Sequence, residues 1–160
     1  MGANPQASFV SEGFTALDPG AVVAFTIYGA LRGPEPATVT AVTLIPVPGT
    51  KTPALRRSAL LTGLGSGFIH GWPAHNPDFQ HRALIGVPFA PSDHVEILVG
   101  VQVRDPGYYA VAGLDIDYTV GGRPYHSRMY GALMMSVHVP YTDEWRDYVT
   151  TYAEGLAGFR

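Results

Sequence analysis

The segment that most restricts the fold of this chain is Leu114–Gly122. Leu114, Ile116, Tyr118 and Val120 alternate with Asp115, Asp117 and Thr119, which is the period of a half-buried strand. Gly121-Gly122 then offers a two-residue turn in which positive φ carries no steric cost. If Val120 pairs with Arg123, the whole ladder is set. Asp117 falls opposite His126 and Asp115 opposite Arg128 on the outer face, while Tyr118–Tyr125 and Leu114–Met129 meet on the inner face. Beyond the turn Met129, Leu133, Met135, Val137 and Val139 keep the inner parity as far as Pro140, with a bend expected at Gly131.

The rest of the chain agrees with a β fold. Nineteen glycines and fourteen prolines favour short strands and tight turns over helices. Ala21–Tyr28 and Thr38–Val47 are rich in β-branched and aromatic residues, and Arg32–Pro36 separates them as a turn. Pro46 and Pro48 remove ladder donors, so the second of these strands ends there or lies at an edge. Val95–Val103 alternates cleanly, with Val95, Ile97, Val99, Val101 and Val103 on one face. Leu55–Leu64 reads as either a short helix or a strand. Gly63–Gln80 reads as a long loop, a length that points to function or to a binding surface. In the tail Thr142 is an N-cap, Asp143 and Glu144 suit the positive end of a helix dipole, and Trp145, Tyr148, Val149, Tyr152 and Leu156 follow helical spacing. Gly155 or Gly158 would end that helix. The expected organisation is a β-sandwich domain over residues 1–141, with a C-terminal helix and tail over 142–160 packed on the same domain or on a neighbour.

Composition excludes several classes. Charged residues are only 14% of the chain, against about 25% in ordinary domains, and 46% are hydrophobic, which is incompatible with intrinsic disorder. So sparse a charge leaves surface for a neighbour to cover. Net charge is −3, and Lys51 is the single lysine, so the basic stripe that nucleic acid needs is missing. No apolar run is long enough for a membrane span, and the opening MGANPQASFV has neither a charged nor an apolar leader region. Without cysteine, disulfides, thiolate metal sites and thiol catalysis are excluded.

Five constellations bear on chemistry or binding. His70, His75 and His81, with Asp78 between them, offer imidazole and carboxylate ligands on the long loop, but their spacing fits no standard metal site and exposed loop histidines are the alternative. His126, Met129, Met134, Met135 and His138 invite copper(I), yet strand parity sends them to opposite faces. The run would also span about 40 Å at 3.3 Å per residue, so core methionines are expected instead. Asp115 and Asp117 share one face and form a carboxylate pair, which Arg128 and His126 opposite would neutralise. Phe68, Trp72 and Phe79, beside Arg82, would either dock a protein partner or sugar ring or fold onto the sandwich. The tail stripe Trp145, Tyr148 and Tyr152 carries too much aromatic area for water and is expected against protein, either its own sandwich or a second copy. There is no nucleophile elbow, phosphate loop or dinucleotide fingerprint, and no cofactor is expected.

Ala21–Val47, a strand, a Gly/Pro turn and a second strand running into Val-Pro-Gly, resembles the front half of an immunoglobulin-like β-sandwich. Gly113–Tyr125 (GLDIDYTVGGRPY) resembles the closing hairpin of extracytoplasmic sandwich domains in membrane-attached actinobacterial proteins, which often carry the run Tyr-x-Val-Gly-Gly-Arg-x-Tyr, here Tyr118–Tyr125. The resemblance covers about half of the chain and lacks the family's N-terminal membrane segment. Asp105-Pro-Gly-Tyr-Tyr109-Ala-Val111 is also similar to the Asp-x-Gly-x-Tyr-x-Cys run of immunoglobulin domains, with Val111 at the cysteine position. That places the Tyr109 hydroxyl to bond backbone upstream, as in a tyrosine corner. The resemblance implies an all-β, two-sheet antiparallel sandwich of seven or eight strands. It also implies an extracytoplasmic location in the bacterial envelope or outside the cell, and a non-catalytic role binding or assembling with protein. The alternatives are a small metal-binding or enzymatic β-domain using the histidine loop, and a virion or particle surface protein.

Overall fold

A computed structural model of the chain describes residues 11–31, 34–62, 69–72, 80–90 and 92–158. In chain order the elements are β1 (Ser11–Leu17), β2 (Val22–Leu31), β3 (Ala37–Pro46), β4 (Ala54–Leu61), β5 (Ile69–His70), β6 (His81–Ala83), β7 (Pro88–Phe89), β8 (Ser92–Gln102), β9 (Gly107–Val120), β10 (Arg123–Val137) and α1 (Asp143–Ala157). Seven of the strands have seven residues or more; β5, β6 and β7 are fragments of two or three. The first sheet runs β1-β10-β9-β3-β7 and the second β5-β2-β8-β4-β6. Its seven long strands have the connectivity of an immunoglobulin-like sandwich: the second, fourth and fifth share one sheet and the third, sixth and seventh the other.

The hairpin has the register its sequence dictates. Tyr125 pairs with Tyr118, His126 with Asp117, Arg128 with Asp115 and Met129 with Leu114. Gly121 and Gly122 both have positive φ (55° and 78°), the type I′ turn whose twist matches the strands it joins. Met129, Leu133, Met135 and Val137 are buried as their parity requires, but β10 ends at Val137, so Val139 lies beyond the strand. The register shifts between Tyr130 and Leu133, around Gly131. On β9 the irregularity centres on Gly113, with φ 142°. There the alternation changes phase: Tyr109 and Val111 face the sandwich core before it, Leu114 and Ile116 after it.

The structure adds one strand and settles one open choice. Ser11–Leu17, outside the strands expected from the sequence, forms β1, and β1 pairs with β10 in parallel. The sandwich is therefore antiparallel except along this edge. Leu55–Leu64, undecided between helix and strand, contributes β4. Its alternation is obscured because the register slips between Leu55 and Arg57, which leaves the adjacent Arg56 and Arg57 both exposed.

The sheets meet through Val23, Phe25 and Ile27 of β2 and Val95, Ile97, Val99 and Val101 of β8, facing Val39, Val111, Leu114, Ile116, Leu133 and Met135 of the first sheet. Each such side chain contributes about 1.5–3 kcal/mol when fully buried. Tyr109 closes one corner. Its hydroxyl accepts from the Asp105 and Arg104 amides (2.9 and 3.3 Å) and donates to the Asp105 carbonyl (3.1 Å). This is the tyrosine corner of an immunoglobulin sixth strand, and it pins the turn entering β9.

A second apolar cluster lies on the outside of the first sheet. Trp145, Val149 and Ala153, spaced by four along α1, pack on Ile45, Val47, Ala110, Ala112, Ala132 and Met134. The three alanines leave room for the helix to approach. Tyr108 and Tyr141 bracket the Trp145 ring, at centroid distances of 4.6 and 5.3 Å. The Thr142 side chain accepts the Trp145 amide as N-cap, and Gly158 ends the helix in the left-handed conformation. The helix thus lies on its own sandwich through Trp145, with Tyr152 half-buried beside it, while Tyr148, the third member of the expected stripe, stays exposed.

Candidate functional site

The phase change at Gly113 divides the outer face of the first sheet. Before it, Ala110 and Ala112 face out beneath α1; after it, Asp115 and Asp117 face out into water. Type I′ closure makes Val120–Arg123 a hydrogen-bonded pair. The pairs holding Pro124, His126 and Arg128 are then the non-bonded ones, in which side chains approach most closely. His126 Nδ1 lies 2.8 Å from Asp117 Oδ1 and its Nε2 3.1 Å from Asp115 Oδ1. Arg128 Nε donates to the same Asp115 oxygen at 2.7 Å.

An imidazole with a carboxylate on each nitrogen is best satisfied when both nitrogens are donors, which is the imidazolium. The hydrogen bond that His126 donates to Asp117 raises its pKa above the ordinary 6.5, against some loss from desolvation, and the Asp115 charge raises it further. Held in this way the ring offers no lone pair to a metal and no basic nitrogen to a substrate. Two carboxylates against an imidazolium and a guanidinium leave the cluster neutral. Its work is to hold the register of the hairpin.

That assignment has a pH signature. A folded-state pKa raised above the unfolded one gives stability fully present below about 6.5 and lost as pH rises through the folded value. The melting-temperature advantage of the native chain over His126→Gln is therefore expected to be larger at pH 5.5 than at pH 8.5. An advantage that grows with pH would contradict it. The pairs are exposed, so the change is small.

The outer face of the second sheet carries the other cluster. Trp72 packs on a floor of Ala24, Ala59, Leu61 and Leu98. A Cβ at Gly100 would meet the Trp72 ring at 2.7 Å, so only glycine admits the indole there. The Arg57 guanidinium lies 5.8 Å from the Trp72 ring centroid and the His81 ring meets it edge-on at 5.4 Å. The structure thus brings together Trp72 and His81, expected in separate roles, with Arg57 and Gly100, which sequence reasoning did not single out. A glycine inside the regular alternation of β8 was the available sign, since it marks close approach of another group.

Of the other residues expected at a site, Arg82 lies exposed on β6 and makes no ion pair among the described residues. Phe68, Phe79, His75 and Asp78 lie outside the described residues, as does the side chain of His70. Trp145 is buried, Tyr152 half-buried, and Tyr148 exposed with its hydroxyl donating to the Pro48 carbonyl at 2.9 Å. Among the described residues no three His, Asp or Glu side chains are arranged for a metal ion. No helix among them is long and apolar enough to cross a membrane.

The sheet edges complete the surface. β5, β6 and β7 are short caps, a common way of blunting an edge. β10 differs, because β1 pairs with it only from Ala132 onward. Residues 123–128 are all exposed, and the side of β10 away from β9 is unpaired there among the described residues. By the hairpin's alternation, the N–H groups of His126, Arg128 and Tyr130 point to that open side. Pro124 has an outward position too, so its missing N–H takes nothing from the β9 ladder. Tyr125 is 46% exposed beside this edge, stacked on Tyr118 at 5.6 Å between ring centroids.

No family model matches the sequence, and no curated protein matches it. Among solved structures the chain is similar to the ASH/PapD-like domain of human CEP192 (PapD-like domain 7), with 11% identity over 88% of this chain and 92% of that one, at a TM-score of 0.43.

Proposed function

We propose that this chain is a non-catalytic protein-binding module that works outside the cytoplasmic membrane of a bacterial cell. The observation that carries the binding role is the open half of β10, which among the described residues is paired on one side only and is exposed over residues 123–128. Unpaired strand edges of that length are templates for another chain. The ionisable groups nearest the edge support a role without catalysis, since Asp115, Asp117, His126 and Arg128 engage one another. The extracytoplasmic setting rests on the Tyr118–Tyr125 run and its likeness to actinobacterial envelope modules.

Photo-crosslinking in the producing cell tests both parts. A benzoyl-phenylalanine in place of Tyr125 is expected to capture one protein, in the envelope or secreted fraction. The same probe at the exposed Arg56, on the second sheet, is expected not to capture it. Equal capture from both positions, or none from Tyr125, would remove the binding reading. Capture confined to the cytoplasm would remove the location.

A further inference from the structure

Local sequence and structure disagree at the connection from β10 to α1. Alternation carries the strand pattern on through His138 to the β-branched Val139, yet β10 ends at Val137. His138 turns the chain with φ 52°, one of two residues other than glycine with positive φ among the described residues. A side chain in that conformation carries a cost that glycine avoids. His138 Nε2 lies 3.0 Å from Asp18 Oδ1, but both groups are exposed, so the pair holds the turn weakly. Five residues, His138–Thr142, then suffice to fold α1 back onto its own sandwich. A short connection under strain favours exchange of the element it carries, since opening it relieves the strain and loses no other contact.

We propose that two copies of this chain exchange α1, each helix covering the outer face of the other copy's first sheet. The hinge is His138–Val139, which becomes extended and prolongs β10 as its sequence favours. From Pro140 onward the contacts of the closed chain are remade across the pair. Trp145, Val149 and Ala153 meet the same apolar face, the Tyr108 hydroxyl donates to the Pro140 carbonyl, and that of Tyr148 to the Pro48 carbonyl. Only the hinges change: two residues leave the left-handed region, and two weak Asp18–His138 pairs are given up. β9 begins at Gly107 and β1 ends at Leu17, both opposite Val137, so neither strand continues beside the prolonged β10. The extended hinges therefore meet each other across the two-fold axis, as the new part of the interface. This exchange uses the opposite end of β10 from residues 123–128 and goes beyond the binding role inferred there.

The chain has no cysteine, so introduced thiols report without background. Two full-length copies, one with Tyr148→Cys and the other with Pro48→Cys, are co-expressed and treated with a short bismaleimide. The two positions are neighbours beneath α1, where the Tyr148 hydroxyl lies 2.9 Å from the Pro48 carbonyl oxygen. Each copy carries one thiol, so a link between the two variants requires the helix of one to lie on the sandwich of the other. A covalent heterodimer is expected on a denaturing gel, drawn from the dimer fraction in size exclusion. With the second thiol moved to the exposed second-sheet position by Arg82→Cys, it is expected to vanish. Asp18→Ala should raise the dimer share, because the pair it removes exists only in the closed chain. In that background His138→Gly removes the left-handed cost at both hinges, and should raise the dimer dissociation constant at least about tenfold. A chain that stays monomeric in light scattering at millimolar concentration overturns the proposal. So does a dimer that lacks the link between positions 148 and 48 or gives the Arg82→Cys product as readily. A dimer share unmoved by His138→Gly in the Asp18→Ala background overturns it as well.

Discussion

Gly113→Ala is expected to lower stability by more than about 3 kcal/mol, a large part of the roughly 5–15 kcal/mol that holds a domain of this size together. The backbone at Gly113 has φ 142°, where L side chains are strained, and a Cβ there would run into the Met129 carbonyl oxygen and crowd Tyr130. Neither neighbour can yield, because both are backbone of β10. Relief would require separating β9 from β10 at the point where the alternation changes phase. The change would then reach beyond one contact, since that phase puts Leu114 in the core and Asp115 in water. Gly122→Ala provides the comparison. It also has positive φ, at 78°, but nothing lies within 4 Å of its added methyl, so only the cost of the left-handed conformation, about 1–2 kcal/mol, is expected. Chemical denaturation of the two variants beside the native chain reads the difference. A loss at Gly113 no larger than at Gly122 would show that the phase change tolerates a side chain.

Loss of the helix should be comparably severe. Trp145→Ala removes the largest side chain of the outer cluster from between Tyr108 and Tyr141, and about 3–5 kcal/mol is expected. Truncation after Tyr141 goes further, because it bares Ile45, Val47, Ala110, Ala112, Ala132 and Met134 together. A contiguous apolar face of that kind is an association surface, so the truncated chain is expected to melt earlier and to aggregate. Trp145→Phe separates packing from bulk loss and should lie between the native chain and Trp145→Ala. Light scattering and thermal melting decide it. A truncated chain that stays monodisperse with an unchanged melt would mean that α1 stabilises nothing.

How much could be read from the sequence depended on the range of the causes. The hairpin register and the tail helix follow from neighbours: alternation and a Gly-Gly turn in one, an N-cap and four-residue spacing in the other. The Tyr109 corner was legible for the same reason, since its partners are four and five residues upstream. β1 was not. Ser11–Leu17 has no clear alternation, and its place is set by β10, at the other end of the described chain. The Trp72 cluster was equally hidden, because its members come from β2, β4, β6, β8 and the segment after β5. Only Gly100 gave a local sign. The edge of β10 was visible as a strand, but whether anything pairs with its far side is a property of the sheet, beyond reach of the local pattern.

The parallel pairing of β1 with β10 also sets an order of events. Ser11 meets Ala132, and Leu17 meets Val137, so this edge joins residues some six score positions apart. A ribosome releasing the chain from its N-terminus must therefore make nearly everything else before β1 has a partner. High contact order slows folding, because the loop entropy is lost before the contact is gained. The hairpin of β9 and β10, joined by two residues, closes early once it emerges, whereas β1 waits unpaired throughout synthesis. Nascent chains of this protein thus carry Ser11–Leu17 without its partner until β10 has been made.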